Sequence, residues 1–174
     1  MSEADLTERE LGRGDAAAAA ALISACDQTY LEDAPEGWVL PSEESERGRW
    51  QEILAEPDRW CHGVFDQAGE LVGMIAVRDA TDDLPGVGHV SALFVHPSRW
   101  REGIAGRLLA GGEEVMRKRG FGRATLRTPE WAPAGRFYEA QGWAKTDVRE
   151  YAEGWDMWTI RYEKSLRPCV GLTP

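Results

Sequence analysis

Apolar positions along this chain fall into blocks of different period, alternating between strand-like and helix-like. Leu6 to Leu11 is a short mixed run that predicts a first strand. Ala16 to Ala21 is an unbroken alanine run, the composition with the highest intrinsic helix propensity. With Asp15 before it, it predicts an Asp-capped helix reaching about Thr29. Leu31 to Pro41 gathers Glu32, Asp33, Pro35, Glu36 and Gly37, the make-up of an exposed acidic connection. One function open to these carboxylates is lining a site for a cation; the plainer alternative is a solvated link between two helices. Ser42 then caps a second helix, which Pro57 ends after Leu54 and Ala55.

From Arg59 the period shortens. Trp60 to Phe65, a turn at Asp66 to Gly69, and Leu71 to Arg78 predict an antiparallel hairpin. Thr81 to Gly88 reads as a connection, and His89 to Val95 as a largely apolar, central strand. Strict alternation along that strand places His89, Ser91, Leu93 and Val95 on one face and Val90, Ala92 and Phe94 on the other.

Helical period returns at Ile104. At about 100° per residue, Ile104, Leu108, Leu109, Val115 and Met116 share an arc of about 140°, while Arg107, Glu113, Glu114, Arg117 and Lys118 fall opposite. Gly120 suits the residue past the helix end, and Gly112, inside the apolar arc, suggests close approach to a sheet. Ala124 to Thr128 is the next strand, parallel to His89–Val95 because a helical crossover joins them. A short helix with Phe137, Tyr138 and Glu139 follows Pro133. A hairpin of Ala144–Tyr151 and Trp155–Tyr162 follows, and then a loose tail, 165–174.

The junction from Val95 to Gly106, Val-His-Pro-Ser-Arg-Trp-Arg-Glu-Gly-Ile-Ala-Gly, joins the buried strand to the long helix through a basic, glycine-bearing loop. The first turn of a helix leaves backbone N–H groups without partners and adds partial positive charge, so a strand, a glycine loop and a helix start form a cradle for phosphate. Alone, this names an anion and no ligand. The plain alternative for Gly103 is a tight turn.

Composition narrows the setting. A length of 174 residues fits one domain, 43% hydrophobic and 29% charged residues are those of a globular protein, and eight Trp leave room for an aromatic homodimer interface. No apolar run reaches the roughly 20 residues of a membrane span. Three widely spaced cysteines, Cys26, Cys61 and Cys169, form no C-x-x-C, which points to a reduced, cytoplasmic protein without a structural metal. A net charge of −10 argues against general nucleic-acid binding; it suits a cationic substrate, and solubility alone also accounts for it.

Gly135-Arg-Phe-Tyr-Glu-Ala-Gln-Gly-Trp143 lies about thirty residues beyond the glycine loop. Together the two stretches resemble the GNAT superfamily of acyl-CoA-dependent N-acetyltransferases, with its Q/R-x-x-G-x-G/A loop and downstream F-Y-E-x-x-G-F. The likeness covers nearly the whole chain in order of elements, with its specific motifs between about His89 and Trp143. It implies an α/β (α+β) fold: a mixed, mostly antiparallel sheet of six to seven strands, a splayed parallel pair at the cofactor site, and helices on both faces. It further implies one acetyltransferase domain over 1–174.

By position, the resemblance assigns coenzyme A pyrophosphate to the turn formed by Arg101, Glu102, Gly103, Ile104, Ala105 and Gly106. It assigns the pantetheine arm to the main chain of Phe94 and Val95, and protonation of the departing thiolate to Tyr138. Three positions depart from the pattern. Trp100 stands in the Gln/Arg slot, Trp131 where Asn is common, and Trp143 where Phe is usual. His89 occupies the strand position that often carries a Glu base, and imidazole is chemically fitted to take a proton near pH 7.

The expected reaction is acetyl transfer from acetyl-CoA to a primary amine by direct attack in a ternary complex, with no metal. A small-molecule or peptide amine is the expected partner, and neither nucleic acid nor membrane is. No Cys adjoins either motif to serve as nucleophile. The structural alternatives are a satisfied strand histidine for His89 and a core aromatic for Tyr138. For the whole chain the rival is a non-catalytic acyl-CoA sensor. An ATP-binding module is disfavoured because no Lys-Ser/Thr follows the glycines.

Overall fold

The computed structural model describes residues 6–80 and 84–167. The expected connection at Thr81 to Gly88 therefore lies partly outside the described residues, as do Cys169 and most of the expected tail. The strands are β1 (Thr7–Glu10), β2 (Trp60–Phe65), β3 (Leu71–Asp79), β4 (Val87–Val95), β5 (Arg123–Pro129), β6 (Ala144–Ala152) and β7 (Met157–Ser165). The helices are α1 (Ala16–Asp27), α2 (Glu43–Ile53), α3 (Ile104–Lys118) and α4 (Ala134–Ala140). The seven strands form one sheet in the order β1-β2-β3-β4-β5-β7-β6, in which only β4 and β5 pair in parallel. The mixed sheet expected from the sequence is present.

Each face of the sheet carries its own core. α1 and α2 bury Ala19, Ile23 and Trp50 against Cys61, Met74 and Ala76. On the other face α3 buries Ile104, Leu108, Leu109 and Met116 against Ile75, Val77 and Val90. Gly112 is required there, because a Cβ on it would stand 2.6 Å from Ile75 Cδ1 and 3.1 Å from Val77 Cγ2. α3 thus lies closer to the strands than an alanine would permit.

Four local expectations change. Asp15 does not cap α1; its carboxylate accepts the Gly12 N–H at 2.8 Å and pairs with Arg9, closing a 3₁₀ turn at Arg13–Asp15 just before the helix. Glu113 is not on the water side of α3 but 5% exposed, and it accepts the Trp143 indole N–H at 3.0 Å and both Lys164 and Arg117. The tail begins later than expected: Leu166 is buried and donates its N–H to the Gly122 carbonyl.

The fourth change concerns β4. Its register against β3 shifts between Ala76↔Ala92 and Val77↔Val90, so Ser91 is an extra residue. A bulge of this kind inverts the alternation beyond it. Val90, Leu93 and Val95 accordingly belong to the α3 core, while Ala92 and Phe94 pack with α1 and α2. His89 shares its face with Ala92 and Phe94, not with Leu93 and Val95.

Candidate active site

β4 and β5 pair from Val87↔Arg123 to Val90↔Leu126 and then part, although β4 continues to Val95 and β5 to Pro129. The gap opens into a cavity of about 140 Å³. Ala92 and Phe94 line it from the α1/α2 side, and Val90, Leu126 and Tyr138 from the α3/α4 side. A cavity can touch both faces of a sheet only where neighbouring strands separate, so the splay and the bulge together create it.

Beyond Val95 the chain makes a 3₁₀ turn at Pro97–Arg99 and enters α3 through two left-handed residues, Arg101 (φ 68°) and Gly103 (φ 78°). The first helical bond of this turn runs from Arg107 N–H to the Gly103 carbonyl. Among the described residues, the N–H groups of Arg101, Glu102, Gly103, Ile104, Ala105 and Gly106 donate to no carbonyl. A Cβ at Gly103 would meet nothing within 4 Å, so space for an anion lies in front of them. The Ile104 side chain is buried in the core, so only its main chain faces this turn. The Glu102 carboxylate is held by Arg99 Nε at 2.8 Å, which draws its charge off the open amides.

Trp100, about half exposed, donates its indole N–H to the Val95 carbonyl at 2.8 Å, and the Cys26 thiol reaches the same oxygen at 3.3 Å. The large residue in the loop therefore ties the turn back to the end of β4. The loop is thereby fixed to the end of β4, one residue beyond Phe94 in the cavity wall.

Tyr138 lies on α4, buried, with its ring 5.8 Å from that of Tyr162, and it lines the cavity. Burial, then the neighbouring Tyr30 and Tyr162, push its phenol well above its ordinary value, so it is protonated at neutral pH. Gly135 lets α4 sit this close to β7, since a Cβ there would fall on the Tyr162 hydroxyl. Phe94 lines the cavity, whereas Val95, the last residue of β4, is buried in the α3 core and is not in the cavity wall.

His89 is elsewhere. It does not line the cavity that holds Tyr138 but a separate polar recess with Arg78, Thr125, Arg127 and Arg161. Its Nδ1 is 2.9 Å from Thr125 Oγ1. Burial first, then the guanidiniums of Arg78, Arg127, Arg161 and Arg59, push the imidazole down to about 3. It is neutral and a weak base.

The sequence reading missed several residues of the cavity. Glu32, Asp33 and Glu36 of the acidic connection are not in its wall; the carboxylates there are Asp27, at the end of α1, and Glu46 of α2. Tyr30, Trp38 and Trp131 add three rings, with Tyr30–Trp131 centroids at 5.6 Å and Trp38–Trp131 at 5.9 Å. Trp131 was visible as a departure from the family pattern. Asp27 and Tyr30 were legible only as a pair three apart at a helix end, a signal too common to single out. His62 pairs with Glu8, and His96 is hydrogen-bonded with Ser98.

The sequence model of the acetyltransferase (GNAT) family matches residues 23–143, and the chain belongs to that family. Sequence comparison with curated proteins gives no significant match. Among solved structures, a GNAT-family protein from Desulfovibrio desulfuricans superposes with a TM-score of 0.72 at 18% identity, covering 93% of this chain and 99% of that one. An aminoglycoside 6′-N-acetyltransferase complexed with coenzyme A gives 0.68 at 20% identity, covering 93% and 98%. The PaiA N-acetyltransferase of Thermoplasma acidophilum, also with coenzyme A, gives 0.65 at 22% identity, covering 95% and 99%. These likenesses define the fold. Among the described residues no helix is long and apolar enough to cross a membrane, and no cluster of three His, Cys, Asp or Glu could hold a metal ion.

Proposed function

We propose that this chain moves an acetyl group from acetyl-CoA to a primary amine by direct attack in a ternary complex. The observation that carries this reading is the cavity passing through the sheet between the parted ends of β4 and β5, beside the open amides of α3. An extended thioester arm needs a slot between strands, and its pyrophosphate needs unpaired N–H groups at a helix start. Both are present and adjacent.

The backbone N–H groups from Arg101 to Gly106 hold the pyrophosphate, helped by the helix dipole. The β4 main chain at Phe94 and Val95, which β5 leaves unpaired, lies along the pantetheine arm. Acetyl-CoA supplies the activated acyl carbon. The neutral amine nitrogen attacks that carbon, a C–N bond forms, the C–S bond breaks, and the electron pair leaves on sulfur. Tyr138, protonated and in the cavity wall, gives its proton to the thiolate. The proton lost by the amine passes through water in the cavity and restores the Tyr138 phenol. His89 is not given the role of base in this reading, since its recess is separate and its neighbours are cationic.

A covalent acetyl-enzyme is disfavoured. Burial pushes the Cys26 thiol up to about 12 and the Cys61 thiol up to about 11, so neither offers a thiolate near neutral pH. Their unpaired, buried state also suits a reducing, cytoplasmic setting. Within the same reading the chain acts as one domain, and the exposed aromatics Tyr151 and Trp158 supply the face of a homodimer.

Thiol release from acetyl-CoA across a panel of amines tests the function. Tyr138→Phe is expected to lower kcat roughly 100-fold, the lower end for general acid catalysis, with coenzyme affinity unchanged. Unchanged turnover removes Tyr138 from the mechanism. Tight coenzyme binding with no turnover on any amine establishes the non-catalytic sensor instead.

A further inference from the structure

We propose that the cavity takes a primary amine with an aromatic body and a single positive charge, which binds as an ammonium against Asp27, with its ring among Tyr30, Trp38 and Trp131, and gives up one proton to solvent before it attacks. This names the acceptor for the acetyl transfer proposed above and rests on that reading.

The walls argue for one charge. Of the two carboxylates lining the cavity, Glu46 is bound by Arg49 at 2.6 Å. The Asp27 carboxylate makes no hydrogen bond or ion pair among the described residues, although the Arg49 guanidinium attracts it from a distance. Desolvation first, then repulsion from Glu46, push its carboxyl up to about 6 against a partial pull from Arg49, and a cation seated beside it would offset the first two. Arg49 and Arg127 line the same space, so a second or third ammonium would meet guanidinium. A polycation is therefore a poor fit.

The rings argue for the aromatic body. Trp131 stands edge-on to both Tyr30 and Trp38, so the three rings leave faces and edges for a fourth. Trp38 is held in place by its indole N–H on the Trp155 carbonyl at 3.2 Å, which brings the connection after α1 over the cavity. The Trp131 indole N–H is buried with no hydrogen-bond partner. Polyhydroxylated amines would bring many polar groups to this wall and leave most of them unpaired.

Kinetics with tryptamine, 2-phenylethylamine, spermidine, kanamycin and a short peptide as acceptors test the proposal, with calorimetric titration of each amine into the coenzyme A-bound protein. The two arylalkylamines are expected to show kcat/KM at least tenfold above the others, and the neutral analogue 2-phenylethanol no binding. Asp27→Asn is expected to raise the arylalkylamine KM tenfold or more with kcat and coenzyme affinity little changed. Trp131→Ala is expected to do the same for tryptamine but not for ethylamine, a selectivity that mere loosening of the fold would not produce.

The pH profile gives a third readout. The titratable and charged groups facing Asp27 are Glu46 and Arg49 on α2, Arg127 on β5, Tyr138 on α4, and Tyr30 and Cys26 beside it on the chain. The Asp27 carboxyl is held up at about 6, so KM rises as pH falls below about 6 and the dependence disappears in Asp27→Asn. Preference for spermidine, kanamycin or the peptide, or an Asp27→Asn affinity within twofold of the original, overturns the proposal. Asp27-dependent binding of tryptamine without acetyl transfer upholds the acceptor site and refutes the enzymatic reading.

Discussion

Replacing Trp143 by Phe isolates the hydrogen bond that joins this indole to Glu113. Trp143 is 2% exposed and Glu113 5%, and the N–H to Oε1 distance is 3.0 Å. A hydrogen bond to a buried charge contributes about 1.5–3 kcal/mol. Here the lower end applies, because Lys164, at 2.9 and 3.0 Å, and Arg117 still satisfy the carboxylate after the change. The smaller ring leaves a void costing about 1 kcal/mol more. The total is about 2.5 kcal/mol, which for a chain of this length lowers Tm by about 5–10 °C.

Calorimetry on Trp143→Phe, Glu113→Leu and the double variant measures it. If the bond is the main term, the two substitutions are less than additive by about 1–2 kcal/mol. A Trp143→Phe cost under about 0.5 kcal/mol, or strict additivity in the cycle, would refute the account and leave Trp143 as volume alone.

Two further outcomes follow from the site. His89 has its imidazole pushed down to about 3, against about 6.5 when unfolded, so between these values the unfolded chain binds a proton that the folded chain does not. Stability contributed by neutral His89 is present above pH 6.5 and declines as pH falls below it. The change from pH 7 to pH 5 is about 2 kcal/mol by linkage. Unfolding free energies from urea titration at the two pH values should differ by that much more in the original chain than in His89→Gln; equal differences would place His89 in solvent. Gly103→Glu puts a side chain on a left-handed residue, costing about 1–2 kcal/mol, and adds a carboxylate before the open amides. Coenzyme A affinity by titration should fall at least 100-fold, and retained affinity would move the pyrophosphate away from this turn.

The sheet, the crossover helix and the anion-ready turn were legible because each rests on a local signal: apolar period, glycine position, the start of an amphipathic helix. Ser91 shows where that reading stops. An extra residue in a strand leaves no mark in composition, and one such residue was enough to turn His89 to the other face relative to Leu93 and Val95. Glu113 fails differently: a helical wheel sorts residues by polarity, but a carboxylate satisfied by Trp143, Lys164 and Arg117 can be buried on the polar arc. This wall of the cavity was illegible because Asp27, Trp38 and Trp131 come from three separated stretches that only the folded chain assembles.

The parting of β4 and β5 has a mechanical side. The sheet is two plates, β1 to β4 and β5 to β7 with β6, stitched by a seam of four residue pairs. The second fastening is off the sheet: Glu113 on α3 of the first plate grips Trp143 and Lys164 of the second, and Arg117 grips the Leu166 carbonyl. Trp38, bonded to the Trp155 carbonyl, adds a further fastening beside seam and clasp, and anything lodged in the slot adds one more. Occupancy of the slot should therefore stiffen the protein as a whole, because it ties the two plates together where the strands themselves do not pair.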